Sequence, residues 1–192
     1  REEVQRIEKE VRKVVMRMNR HLDMHVCGSY RRRKRESGDV DVLITYPFSQ
    51  LGVVEPAALL QQVLSELRST GLITHQLTNP SHFSSRSSSS SSSSSARGGS
   101  SSVPSSSPSP VQSRDAELEH DPIKGLTDID EAHTFMGVCR LPGGKHRRLD
   151  IKVYPPDQFP FALLYFTGSG HFNRSMRLRC HKAGWHLNDK GL

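Results

Sequence analysis

Nine consecutive serines, at residues 87–95, set the first limit on any fold this chain can adopt. From residue 79 to about 113 the sequence is largely Ser, Pro, Gly and Arg, with little apolar surface to bury. Burial there cannot offset the entropy lost by ordering the backbone, so a disordered insertion is expected. The core must therefore be assembled from the segments on either side. In a chain of 192 residues these are long enough for one domain with a real interior.

Before the insertion, Val4, Ile7, Val11, Val14 and Met18 recur at spacings of three and four, predicting an amphipathic helix over about the first twenty residues. Residues 24–27 form a short apolar stretch closed by Gly28-Ser29. Residues 39–46 are apolar, β-branched and stopped by Pro47, which predicts a buried strand. Residues 55–70 predict a second helix with Leu60, Val63, Leu64 and Leu67 inward, and Gly71 stands where a C-terminal cap belongs. Residues 72–78 predict a strand. Order is expected to resume near Asp130. Residues 135–141 and 146–154 then read as a hairpin around Pro142-Gly143-Gly144, with helices over 158–166 and 171–182.

Composition excludes several classes. Cys27, Cys139 and Cys180 are odd in number, far apart and free of any CxxC pair, which argues against a disulfide framework and a structural zinc site. No HExxH spacing occurs among the ten histidines. No apolar run reaches the roughly 20 residues that span a bilayer, so no membrane partner is expected. Lys and Arg outnumber Asp and Glu by 27 to 20, a surplus that favours a polyanionic partner. Arg31, Arg32, Arg33, Lys34 and Arg35 concentrate part of it. On the residues alone that run reads either as phosphate-binding or as serving only solubility or nuclear import.

The chemistry lies in three acids. Asp39 and Asp41 flank one apolar residue within a strand, so both carboxylates project from one face. A buried strand has no use for two repelling charges unless a cation neutralises them. Asp150 is a lone acid in a second apolar strand. Were the two strands neighbours, three carboxylates would converge as hard oxygen ligands suited to Mg²⁺ or Mn²⁺. Upstream, Gly28 and Ser29 can turn backbone N–H groups and a hydroxyl toward a phosphate, and Arg32 can supply a guanidinium fork.

Cys27-Gly28-Ser29-Tyr30-Arg31-Arg32 followed by Gly38-Asp39-Val40-Asp41-Val42-Leu43 resembles the GS…DxD signature of the family X DNA polymerases, a branch of the nucleotidyltransferase superfamily. Arg147-Arg148-Leu149-Asp150-Ile151 resembles the family's third-aspartate strand. Residues 165–169 and 171–177 resemble its nucleotide-binding segment and first thumb helix. The resemblance implies an α+β nucleotidyltransferase palm, a mixed β-sheet packed against helices, with the start of a thumb. Residues 1–78 would form the first part of the palm, 79–129 the Ser-rich insertion, 130–157 the second part, and 158–192 the nucleotide-binding segment and truncated thumb.

The same resemblance implies a template-directed DNA polymerase that adds dNTPs to a primer 3′-hydroxyl. Asp39 and Asp41 would bridge two Mg²⁺ ions, with Mn²⁺ able to substitute, and Asp150 would ligate the catalytic one. Gly28, Ser29, Arg32 and the backbone of Gly38 would hold the triphosphate, and Arg148 would influence Asp150. Tyr165 and Phe166 would pack against the sugar and discriminate against ribose, Gly168 would belong to the same nucleotide-binding segment, Asn173 would reach the base, and Arg177 the template strand. On the residues alone Tyr165 and Phe166 serve equally as core, and Asn173 and Arg177 as a solvated helix face.

Gly38 and Tyr165-Phe166 are the choices of the family's template-dependent branch. Arg33 departs from the pattern, because a glycine usually follows the paired arginines. The insertion stands where relatives carry a palm loop, and it reads either as a modulator of template engagement or as a neutral spacer. The chain begins at Arg1 and reads as a piece of a longer, nuclear protein. The family's helix-hairpin-helix elements and its lyase domain, where present, would lie N-terminal to it. Gapped or primed DNA and dNTPs are the expected partners, in gap filling during base excision repair and end joining. The rival expectations are a weak or inactive fragment that only binds DNA, and another nucleotidyltransferase of the same superfamily.

Overall fold

The computed structural model describes residues 1–77 and 133–192. The serine-rich insertion and the resumption of order expected near Asp130 fall outside the described residues.

The first helix, α1 (Glu2–Met18), forms from the predicted stripe: Val4, Ile7, Val11 and Val14 are buried, as is Val15. It leads into β1 (Asp23–Val26), a single helical turn α2 (Gly28–Arg31), and β2 (Asp39–Thr45). The turn α2 replaces the simple strand-to-loop passage expected at Gly28-Ser29. Its backbone is closed by Arg31 N–H to the Cys27 carbonyl at 3.2 Å and Arg32 N–H to that of Gly28 at 3.3 Å. A second helix, α3 (Pro56–Ser69), starts on a proline, whose missing N–H is harmless there. It stops where Gly71, at φ +75°, lets Gly71 and Leu72 donate back to the carbonyls of Arg68 and Leu67. Leu59, Leu60, Val63, Leu64 and Leu67 form its buried side.

The strand β3 (Ile73–Gln76) lies within the expected residues 72–78 and carries a register irregularity between Ile73 and His75. Next come β4 (Thr134–Arg140) and β5 (His146–Val153), the predicted hairpin, which closes through Gly144 N–H to Leu141 O at 2.9 Å. The chain ends in α4 (Phe159–Thr167) and α5 (Gly170–Lys182), where the Ser169 side chain accepts from Phe172 N–H as the α5 cap.

Among the described residues the strands form one sheet in the order β1-β2-β5-β4-β3. It is mixed: β2 and β5 run parallel, and the other neighbours antiparallel. Alternation along β2 and β5 gives the sheet two unlike faces. Val40, Val42, Ile44, Leu149, Ile151 and Val153 face α1 and α3 and make the main core. Asp39, Asp41, Arg148, Asp150 and Lys152 share the opposite side, where α4 covers only one end through Ala162, Leu163 and Phe166.

One tight spot in the sheet depends on the absence of a side chain. A Cβ on Gly137 would lie 2.6 Å from Phe135 Cε1 and 2.7 Å from the His75 carbonyl oxygen. The ring can shift, whereas the backbone oxygen of the paired strand cannot. Gly137→Ala is therefore expected to lower stability by about 1–3 kcal/mol, read as a lower urea midpoint at an unchanged m-value.

Candidate active site

Parallel pairing sets Asp41 directly opposite Asp150, and Asp39 opposite Arg148. In-register partners of a parallel ladder project on the same side, so the three acids share one patch. Asp41 lies against α2. Gly28 there has φ +58°, and any Cβ added to it would run into the Asp41 carboxylate. Glycine thus brings the first turn of α2 and its free N–H groups right up to the acids.

The charges are arranged as linked pairs. Arg148 donates to Asp150 Oδ2 at 2.9 Å and stands 3.8 Å from Asp39 Oδ2. Lys152, only 3 % exposed, sits 3.7 Å from Asp41 Oδ1 and 4.7 Å over the Phe166 ring. A buried ammonium needs a counter-charge, and here it has a carboxylate on one side and a ring face on the other. Sequence reasoning passed over Lys152. The signal was available: a lysine inside an apolar strand, two residues after Asp150 and therefore on its face.

The expected convergence of three carboxylates is only partly formed. Among the described residues no three acidic, histidine or cysteine side chains gather tightly enough to hold an ion unaided. Arg148 and Lys152 occupy that space because closely spaced carboxylates require counter-charge. The donor set still fits a hard cation. Asp150 is 4 % exposed and its Oδ1 is buried without any hydrogen-bond partner. Burial pushes the Asp41 carboxyl above its ordinary range; Lys152 opposes this, and the Asp39 and Asp150 charges add to the rise. Cys27 beside them is a neutral thiol, its pKa pushed up to about 11 mainly by burial.

The phosphate-side residues lie around the end of β2. A cleft of about 320 Å³ opens there, lined by Arg1, Arg35, Ser37, Gly38, Asp39 and Arg147 among others. Nothing lies within 4 Å of the position a Cβ would take on Gly38, leaving its backbone open to approach. Ser29 lies in α2 and is half-buried. The basic run is sorted by the fold: Arg31, Arg33, Lys34 and Arg35 are exposed, while Arg32 turns inward and donates to the Thr167 carbonyl at 2.6 Å. Arg33 holds φ +63°, a left-handed backbone, which explains why glycine suits that position and shows that arginine can occupy it at some strain.

Tyr165, Phe166, Gly168, Asn173 and Arg177 form a second group around the α4–α5 junction. Asn173 Nδ2 donates to the Tyr165 carbonyl at 2.8 Å, and Gly168, at φ +42°, lets the amide pass 3.3 Å from where its Cβ would stand. Tyr165, Asn173 and Arg177 line a small crevice with Leu164 and Met176. Burial raises the Tyr165 pKa, with Asp189 adding to the rise and Arg177 opposing it. Asp189, unremarked in the sequence, is itself buried and accepts from Tyr154 Oη at 2.5 Å. Phe166 packs with Leu43, Tyr154 and Ala162, so its inner face is core, while the same ring meets Lys152. The contacts of Arg32 with Thr167 and of Lys152 with Phe166 join the two groups.

The raised pKa of Asp41 has a defined sign. The folded chain holds that proton more tightly than the unfolded chain. Asp41 therefore costs nothing below the ordinary carboxylate pKa, and destabilises increasingly as pH rises toward the raised value. A divalent cation competes with the proton for the same oxygens. Mg²⁺ is expected to raise the calorimetric midpoint near neutral pH, by an increment that shrinks as pH falls toward about 4 and disappears in Asp150→Asn. An increment equal at both pH values would mean that the ion binds away from these carboxylates.

Residues 1–100 match the family model of the DNA polymerase beta palm, and residues 162–192 that of the DNA polymerase beta thumb. DNA polymerase lambda of Rattus norvegicus is 34% identical over 196 residues, which covers 100% of this chain and 25% of that protein. DNA polymerase lambda of Arabidopsis thaliana is 27% identical over 193 residues, covering 100% of this chain and 28% of that protein. The chain thus spans about a quarter of the length of these curated relatives. The palm match takes in the DxD strand and the thumb match most of the α4–α5 region, and the chain belongs to the family X DNA polymerases.

Proposed function

We propose that this chain is the catalytic palm and first part of the thumb of a template-directed DNA polymerase that fills gaps in duplex DNA. The observation that carries the reading is Asp41 opposite Asp150 in the parallel ladder, with one Asp150 oxygen buried and unpartnered. Phosphoryl transfer asks little covalent chemistry of a protein; it asks for position and fixed charge, and this site is built of both.

Asp39, Asp41 and Asp150 would hold two Mg²⁺ ions, Mn²⁺ being an alternative, which supply Lewis-acid polarisation at the primer 3′-hydroxyl and the triphosphate. Arg148 orients the Asp150 carboxylate through its 2.9 Å contact. Gly28, Ser29 and Gly38 offer backbone and hydroxyl donors to the β- and γ-phosphates. Arg32, released from the Thr167 carbonyl, supplies a guanidinium to the same oxygens. Tyr165 and Phe166 lie along the deoxyribose and exclude a 2′-hydroxyl, Asn173 meets the base edge, and Arg177 the template strand. In the longer protein this palm serves base excision repair and end joining in the nucleus.

The deciding experiment is single-nucleotide addition by the full-length protein to a one-nucleotide gap, with each dNTP alone and Mg²⁺ or Mn²⁺. Template-matched addition is expected, falling by roughly 10³-fold or more in Asp150→Ala. Arg32→Ala is expected to raise the dNTP KM by about tenfold with a smaller change in kcat. DNA binding without any addition would support a binding-only module, and ribonucleotide preference another nucleotidyltransferase.

A further inference from the structure

The sheet face turned away from the carboxylates is covered by α1 and α3, and a second cleft, of about 710 Å³, opens on that side. One wall is α1, where Arg6, Lys9, Lys13 and Arg17 follow one another at spacings of three and four and so share a helix face. The other wall is the turn after α3 together with the end of β4, which contributes Arg140 and Pro142. Val14, Leu72 and Leu141 reach the floor from the core.

Two of these cations are already matched. Lys13 meets Glu10 at 2.8 Å, and Arg17 meets Glu66 at 2.9 Å. Arg6, Lys9 and Arg140 are exposed and form no ion pair or side-chain hydrogen bond among the described residues. Arg6 faces part of the Glu3 charge, whereas Lys9 on one wall and Arg140 on the other leave positive charge above an apolar floor.

We infer that this cleft docks a short acidic segment of a protein partner. Its carboxylates would meet Arg6 and Lys9 on one wall and Arg140 on the other, and an apolar side chain would rest on Leu72, Leu141 and Pro142. A peptide can space its acids to suit such a surface. A nucleic-acid strand fits less well, because its unbroken row of phosphates would pass Glu10 in the wall and Glu66 beside Arg17. The face lies across the sheet from Asp41 and Asp150, so the inference stands apart from the polymerase reading.

The test is fluorescence anisotropy with a labelled synthetic peptide of Asp, Glu and Leu, its Asn/Gln counterpart, and a thymidine oligonucleotide. Parent chain and an Arg6→Glu/Arg140→Glu variant that keeps the parent's thermal midpoint are compared. The acidic peptide is expected to bind the parent, and about tenfold more weakly the variant, while the amide counterpart does not bind. Equal binding of the two peptides, binding unchanged in the variant, or no acidic-peptide binding up to roughly millimolar concentration would overturn the proposal. So would oligonucleotide binding that the variant alone abolishes, since the face would then belong to nucleic acid.

Discussion

The parallel pairing of β2 with β5 is the constraint on which the rest of this structure depends. It sets Asp41 beside Asp150 only because Val40, Val42, Leu149 and Ile151 on the other side of the same strands are locked into the core. Slipping either strand by one residue would turn the acids into the interior and the valines out to solvent. The apolar face thus fixes the register, and the register assembles the site.

That arrangement concentrates charge in a place poorly suited to it. Buried acids next to one another repel, and Arg148 and Lys152 hold the patch together as counter-charges. Each cation also joins parts that the chain keeps apart. Arg148 spans Asp39 and Asp150 on adjacent strands, and Lys152 ties Asp41 to Phe166 of α4. Arg32 makes a second tie to the end of α4. Electrostatic neutralisation and the placement of α4 are accordingly the same set of contacts.

Much of this was legible in the sequence. The α1 stripe, the α3 face with its glycine stop, and the alternation around Asp39 and Asp41 follow from periodicities that one element sets by itself. What could not be read depended on neighbours distant in the chain. Nothing local says that Lys152 lies against Phe166, that Arg32 alone of five basic residues turns inward, or that β3 breaks register between Ile73 and His75. The single turn α2 was missed because four residues carry no helical period. Arg33 was marked as unusual by family pattern, and its positive φ supplies the physical reason.

The order of strands bears on how the molecule assembles. The β4–β5 hairpin and the β1–β2 pair join residues close in sequence, whereas Asp41 and Asp150 are more than a hundred residues apart. Closing that separation is the entropically dearest contact in the sheet, although doubling the connecting length adds only about 0.6 kcal/mol. Residues 78–132 stand between β3 and β4 in the sequence, so they lengthen this closure. Their length therefore enters the entropy and the rate of bringing β2 and β5 together.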